Sequence, residues 1–481
     1  MKRHIIILAA ALSLGAVGCE SFLDEQPVSE VPADNMWQTS RDAKAGVNQI
    51  YGFFRTTMRE NYFYWGEFRS DNLAPGASSA ADQQRVIDNQ LTTDHRCTRW
   101  SDLYKVINQA NLCIKYIPGI DTPSVAERND LLGQAYAMRA LAYFYAVRVW
   151  GDVPLFVEPN EKYSESIYRE RTDKEYILRE VVLEDAKKAE ALIDRTKNKE
   201  RKRISVYGAW AIMADAYMWL GEYNLADQTI EKMKGDPSFM AFEPSIDMWK
   251  KMFTEELNGK ASDNTPENDD YSTKEFILVV HFNMDEVGTN GFSYMYQWFT
   301  GSGNRAGVVS EALRNKFDQA NDLRFPLVTK EYQAGWELRK YIPGDISSTL
   351  NKTCQVAYPI YRYSDMLLLQ AEALARLSKW EEALDLVKQI RTRAGLETPE
   401  ASSFATEDEL VDFILDERQR ELAGEGRRWF DLVRTGRWKT VMGPINGCSE
   451  EGNELFPIHF SHLDQNKALT QNAYYATQTQ E

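Results

Sequence analysis

Asp215 to Met233 reads DAYMWLGEYNLADQTIEKM, and Glu372 to Ile390 reads EALARLSKWEEALDLVKQI. The two segments share one pattern: Leu220-Gly221-x-Tyr223-x-x-Ala226 in the first, Leu377-Ser378-x-Trp380-x-x-Ala383 in the second. In each, a helix ends on a small residue that turns the chain, and the aromatic and alanine beyond it let a second helix pack closely. This is the signature of a tetratricopeptide hairpin. The copies stand on either side of a long interval, so the pattern predicts an all-α scaffold of tetratricopeptide-like helical hairpins with a long irregular insertion, not an unbroken tandem array.

Helical periodicity extends outward from these hairpins. Glu127 to Trp150 is apolar on nearly every face, as expected of a helix buried among several neighbours, and stops at GDVP. Thr172 to Ile193 reads as an amphipathic helix with Thr172 as N-cap and Glu175 three residues on. The insertion, about residues 234–355, changes character: it is rich in Gly, Asn, Asp, Pro and aromatics and carries minor β structure, one strand-like run at Glu275 to Phe282 (EFILVVHF). Function tends to sit on such loops when a rigid scaffold holds them.

The N-terminus, MKRHIIILAAALSLGAVGC, has two basic residues, an apolar or small run from Ile5 to Gly18, and then Cys19. The run suits an export signal and is short of the about 20 residues of a bilayer span. Val17-Gly18-Cys19 is similar to the lipobox of bacterial lipoproteins, with Ala16 where Leu is usual. The expected layout is a signal over residues 1–18, a lipid-anchored acidic leader over 19–33 starting at acylated Cys19, and a single domain over 34–481. A formal charge of −16 argues against nucleic-acid binding. Cys97, Cys113, Cys354 and Cys448 show no metal-like spacing, and four cysteines do not make a disulfide scaffold in a chain this long. His459-x-x-His462 lacks a third ligand nearby and reads as surface histidines. No cofactor is expected. The acidic run Asn258 to Asp270 lacks EF-hand spacing and reads as a solvated loop, with a structural Ca²⁺ left open.

Several further stretches, taken in order, resemble the SusD/RagB family of outer-membrane lipoproteins. They are Cys19 followed by FLDEQP, MRALAYFYAVRVWGDVPL (Met138 to Leu155), YPIYRYSDMLLLQAEALARL (Tyr358 to Leu377), IRTRAGL (Ile390 to Leu396), ILDERQRELAGEGRRWFDLVRTGRW (Ile414 to Trp438) and FPIHFSHLDQNKALTQNAYY (Phe456 to Tyr475). The resemblance spans essentially the whole chain. It implies an all-α fold with tetratricopeptide-like units and an irregular insertion. It also implies a non-enzymatic, lipid-anchored protein facing outward from the outer membrane, which binds oligosaccharide as the lid of a SusC-like TonB-dependent transporter. Peptide cargo in the same role, and a lipid-anchored α-helical glycoside hydrolase, are the alternatives.

Within Ile414 to Trp438 the charges fall at helical spacing, Asp416 with Arg420, Glu425 with Arg428 and Arg427 with Asp431, which predicts a structural ion-pair network and not an acid–base site. Two regions supply ligand candidates. In Asn61 to Arg85, Tyr62, Phe63, Tyr64 and Trp65 belong mainly to core, and Trp100 beyond them to packing. The family resemblance marks Asp71 and Arg85 as polar contacts, since a carboxylate and a guanidinium both suit vicinal hydroxyls. In Gly291 to Asn304 (GFSYMYQWFTGSGN), Tyr294, Tyr296 and Trp298 are candidates for an aromatic platform, with Trp336 a further one.

Overall fold

The computed structural model describes residues 36–76, 81–161, 168–197, 201–235, 241–254, 274–282, 295–299, 306–332, 335–342 and 356–478. The export signal, Cys19, the leader, the acidic run Asn258 to Asp270, Tyr294 and Cys354 lie outside the described residues, as does the side chain of Tyr296. In chain order the helices that build the scaffold are α1 (Ser40–Gly66), α2 (Ala81–Ile87), α3 (Ser101–Tyr116), α4 (Val125–Trp150), α5 (Glu184–Leu192), α6 (Val206–Trp219), α7 (Tyr223–Glu231), α8 (Tyr363–Arg376), α9 (Trp380–Arg393), α10 (Glu407–Glu421), α11 (Arg428–Arg434) and α12 (Phe460–Gln465). Short strands are β1 (Leu73–Pro75), β2 (Val153–Pro154), β3 (Arg171–Thr172), β4 (Phe276–Phe282), β5 (Gly307–Val309), β6 (Thr329–Tyr332), β7 (Gly335–Leu338) and β8 (Val356–Arg362). They pair antiparallel as β1 with β5, β2 with β3, β4 with β8 and β6 with β7.

Both quoted hairpins form, and by the same device. Gly221 and Ser378 take left-handed backbone, with φ of 71° and 61°. Behind each, the next N–H reaches back across the helix end: Glu222 to the Tyr217 carbonyl and Lys379 to the Leu374 carbonyl, both at 2.9 Å. These are the 6→1 bonds of a Schellman motif. Ala226 and Ala383 are fully buried, as the close approach of α7 on α6 and α9 on α8 requires. The hairpins are neighbours in space despite the insertion between them. α7 packs on α8, and Gln370 of α8 donates to Asp227 and Glu231 of α7 at 2.7 and 2.9 Å. The insertion therefore leaves from one stacked pair and returns to the next.

Helix α4 is buried along almost its whole length and starts at Ser124, whose hydroxyl accepts the Glu127 N–H at 3.1 Å. The helix read as starting at Thr172 instead begins one residue later. Thr172 is in β3, and Asp173 is the N-cap, accepting the Tyr176 N–H at 2.9 Å. His459 and His462 are not surface residues. His459 is fully buried at the start of α12, accepting from Arg99 at 3.1 Å, and His462 stacks on Trp100 with ring centroids 5.0 Å apart. Burial, with His459 and Arg99 nearby, holds His462 down to about 4. Cys97, Cys113 and Cys448 are buried free thiols. Among the described residues no group of three or more His, Cys, Asp or Glu is placed to hold a metal ion.

The ion-pair network exists, but not through the three pairs expected from the sequence. Asp416 pairs with Lys316 at 2.7 Å, and Arg420 with Glu417 at 2.7 Å. Glu425 pairs with Arg362 and Lys340, and Arg427 with Asp215 and Asp365. Asp431 takes Arg418 and Arg434. Glu425 stands in the turn between α10, which ends at Glu421, and α11, which starts at Arg428, with Gly424 and Gly426 at positive φ, so no helical register joins it to Arg428. Asp416 and Arg427 are drawn instead to charges on other elements.

At the centre, Glu421 accepts from Arg324, Arg362 and Arg393 at 3.0, 2.8 and 2.6 Å, and Glu275 from Arg362 and Arg393 at 2.6 and 2.9 Å. Glu417 binds Arg324 at 2.7 Å and Arg391 at 2.9 Å. Burial alone would raise these carboxyls, but the guanidinium groups outweigh it and hold Glu417 and Asp431 down to about 2. The sign for stability follows. In the unfolded chain these acids take up protons near pH 4, whereas the folded chain keeps them ionised, so their contribution is complete above the unfolded value and is lost as pH falls towards about 2. Denaturant unfolding followed across pH should show stability falling steeply as pH drops below about 4.

Candidate functional site

The site is built outward from the end of α1. Tyr62, Phe63, Tyr64 and Trp65 are all buried. Tyr62 donates to the Pro359 carbonyl at 2.8 Å, and the Trp65 indole to that of Cys97 at 2.9 Å. Gly66 then meets the turn after α10: a Cβ there would stand 1.9 Å from the Gly426 carbonyl oxygen, so only glycine permits the approach. The next residue fastens the same turn. Glu67 accepts from the backbone N–H groups of Gly424 and Gly426 at 2.8 and 3.0 Å and from Asn72 at 2.8 Å. Burial pushes its carboxyl up to about 7 against the pull of those three donors.

Asp71 lies in the same buried knot. Its carboxylate takes a two-pronged contact from Arg428, at 2.8 and 3.0 Å, and a third bond from Gln419 at 3.0 Å. Burial raises its pKa, but Arg428 and Gln419 more than offset this and leave it below the ordinary carboxylate range. The Asp71 carbonyl accepts the Ser310 hydroxyl, and the Asn72 carbonyl accepts the Ser310 N–H at 3.0 Å. From there the chain enters β1, whose Leu73, Ala74 and Pro75 face Val309, Val308 and Gly307 of β5. The first region singled out in the sequence is thus joined to the strand that follows the second.

Trp298 belongs to the wall behind that pair. It is 5% exposed, edge-on to Phe63 and Tyr64 with centroids 6.1 and 5.5 Å away, and its carbonyl accepts the Ala306 N–H at 2.9 Å. Phe299 beside it packs on Phe63 at 4.9 Å. Burial therefore takes Asp71 and Trp298, both expected to face ligand, off the accessible surface. Arg85 and Trp336 differ. Arg85 is exposed on α2, which packs on β1. Trp336 is half-buried on β7, which packs against β5, with its indole on Phe325 at 5.6 Å and under the Arg314 guanidinium at 4.9 Å. Sequence reasoning missed Glu67, Gln419, Ser310 and Arg428 as the supports of this face. No local signal marks them, because each acts on a residue hundreds of positions away.

Residues 295–475 match the family model described as the SusD family, and residues 21–218 match one described as starch-binding and associating with the outer membrane. SusD-like protein P38 of Formosa agariphila is 32% identical to this chain over 517 residues, covering 98% of the chain and 99% of P38. The chain belongs to the SusD/RagB family. Solved SusD-like structures share its fold. A laminarin-binding SusD-like protein superposes with a TM-score of 0.73 at 21% identity, over 91% of this chain and 100% of its own. NanU of B. fragilis gives 0.75 at 22% identity, over 93% and 99%. The all-α scaffold with its irregular insertion is therefore a SusD fold.

The β1–β5 pair is thus flanked by α2, which carries the exposed Arg85, and by β7, which carries the half-buried Trp336. The two carboxylates behind it, Glu67 and Asp71, have their oxygens committed to the protein. Arg428→Met should leave the Asp71 carboxylate buried without its cation and cost about 3–5 kcal/mol of stability. The double variant Asp71→Leu/Arg428→Met should lose clearly less than the sum of the two single changes. Urea unfolding of the three variants measures this coupling.

Proposed function

We propose that this SusD-family chain is a surface oligosaccharide-binding lipoprotein that captures its ligand and closes as a lid over a SusC-like TonB-dependent outer-membrane transporter, without catalysing a reaction. The observation that carries the reading is the pairing of β1 with β5. The helix that carries Arg85 packs on β1, and the strand that carries Trp336 packs on β5, which supports a shared role for the two. A guanidinium offers paired donors to vicinal hydroxyls, and an indole offers a flat apolar face with an N–H at its edge. In this reading Tyr294 and Tyr296 are further ligand contacts. The match to a family model described as starch-binding supports glycan cargo, as does the likeness to a laminarin-binding protein.

The anchoring half rests on Cys19 and the signal before it. Among the described residues no helix is long and apolar enough to cross a membrane. Acyl chains on one cysteine, each buried CH₂ contributing about 0.8 kcal/mol, would retain the body at the surface while leaving it free to swing. Tethering also raises the effective concentration of a weak binder at the transporter mouth.

The soluble body from residue 25 onward, titrated calorimetrically with laminarin and starch oligosaccharides and with mixed peptides, should show saturable glycan binding. Arg85→Ala and Trp336→Ala should each weaken it roughly tenfold, about 1.4 kcal/mol, with thermal unfolding unchanged in Arg85→Ala. Tight peptide binding with no glycan response would replace the cargo, and steady release of reducing ends would make the protein a hydrolase. In cells, Cys19→Ser should move the protein from the membrane to the soluble fraction. Unchanged membrane retention would overturn the lipid anchor.

A further inference from the structure

A pocket of about 490 Å³ opens at the start of α3, between that helix, the middle of α1, β2 and α12. Aromatic rings make most of its wall. Trp100 and Phe156 are buried at its base, Phe53 and Tyr104 are half-buried, and Tyr168 is 55% exposed at its edge. Its polar groups are hydroxyls and amides: Ser101 and Gln465 are exposed at the rim, and Asn108 and Asn466 lie deeper. Among the described residues lining it none is Asp or Glu, and Lys105 pairs with Asp102 at 2.8 Å. Burial, with His459 and Arg99 nearby, keeps His462 uncharged at neutral pH. Arg169 stands outside the lining, with its guanidinium 4.5 Å from the Phe156 ring centroid.

The walls are held in place. The Tyr104 ring lies 5.8 Å from that of Trp100 and edge-on to Phe156 at 6.0 Å, and its hydroxyl donates to the Pro154 carbonyl at 2.5 Å. The deeper amides are fixed as well. Asn108 accepts the Asn160 N–H at 2.7 Å, and Asn466 donates to the Arg169 carbonyl at 2.8 Å while accepting the Ala468 N–H at 3.0 Å. A site formed before its ligand arrives lowers the ordering cost of binding, and the volume falls within the about 300–1,000 Å³ of small-ligand sites. None of these residues belongs to the β1–β5 face. Helix α1 nonetheless carries both: Phe53 stands about 15 Å along it from Phe63, which backs the strand pair.

We propose that this pocket is a second saccharide site, which takes one neutral sugar ring with its apolar face on Tyr168 and its hydroxyls towards Ser101 and Gln465. The saccharide class rests on the glycan reading above, whereas the uncharged, ring-sized character of the ligand stands on the pocket itself. Flat aromatic rings suit the C–H face of a sugar, and sugar hydroxyls both donate and accept, as the Ser101 hydroxyl and Gln465 amide require. An apolar protein side chain would fit the same rings but strip water from those two groups without returning hydrogen bonds. Two sites on one helix hold a long saccharide more tightly than either alone, because the second contact is intramolecular.

The soluble body, with fluorotyrosine in place of tyrosine, is titrated by fluorine NMR with maltose, laminaribiose, glucuronate and mixed peptides; Tyr168→Phe and Tyr104→Phe identify the two signals. Both should shift saturably with maltose or laminaribiose, at least as tightly as with glucuronate, and added salt should leave that binding unchanged. Tyr168→Ala, read on the Tyr104 signal, should weaken it roughly tenfold without moving thermal unfolding, and Arg85→Ala and Trp336→Ala should leave it as it is. A Tyr168 signal unmoved by both neutral sugars, a preference for glucuronate, or a shift produced by peptides alone would overturn the proposal. If neutral oligosaccharides bind, lose that binding in Trp336→Ala and never move the Tyr168 signal, the glycan reading stands and this site falls. If the Tyr168 shift is the only response and survives both Arg85→Ala and Trp336→Ala, this site stands and the β1–β5 face falls.

Discussion

The buried charges of α10 hold the insertion, the end of β8 and α9 to one centre. Glu417 and Glu421 draw in Arg324 from the insertion, Arg362 from the end of β8, and Arg391 and Arg393 from α9. Glu275, at the entrance to β4, completes the set by sharing Arg362 and Arg393 with Glu421. Such a network adds little net stability, because removing each ion from water costs about as much as its partners return. Its effect lies in what it forbids. Any packing that leaves one of these groups unpaired incurs several kcal/mol, so insertion, hairpin and terminal helices have one acceptable arrangement.

The same logic reaches the candidate face through two glycines and two acids. Gly66 allows α1 to touch the turn at Gly426, Glu67 binds that turn through its N–H groups, and Asp71 is gripped by Arg428 from the start of α11. The strand that supports Arg85 and Trp336 is thus an extension of the charged core and not a loose surface loop. This rigidity reduces the ordering cost of capturing a ligand on it.

What the sequence discloses divides along the length scale of the interactions. The hairpins at Gly221 and Ser378 are legible because helix, turn and returning helix lie within about twenty residues, and their turn chemistry and small contact residues are local. The strand at Phe276 to Phe282 is legible from its unbroken apolar run, whereas the three-residue pair β1 and β5 has no signal longer than noise. Charge pairs are legible as a class and not by partner. Helical spacing matches Asp416, Glu425 and Arg427 to neighbours about one turn away, whereas each finds its partner on another element. Asp71 illustrates the cost of that blindness. A carboxylate before a small-residue loop reads as a ligand contact until its distant cation, Arg428, is seen beside it.

The aromatic stretch shows the same division inside eight residues. Trp298 and Phe299 close the core around Phe63 and Phe68, so composition alone overstates the number of rings held out for ligand. A ring that completes the packing around Phe63 is not available to a ligand, so the same residue types serve the core where the chain folds back on α1 and can serve recognition only where packing leaves them exposed. Composition therefore fixes how many rings the stretch holds, and the distant partners of α1 fix how many of them the core takes up.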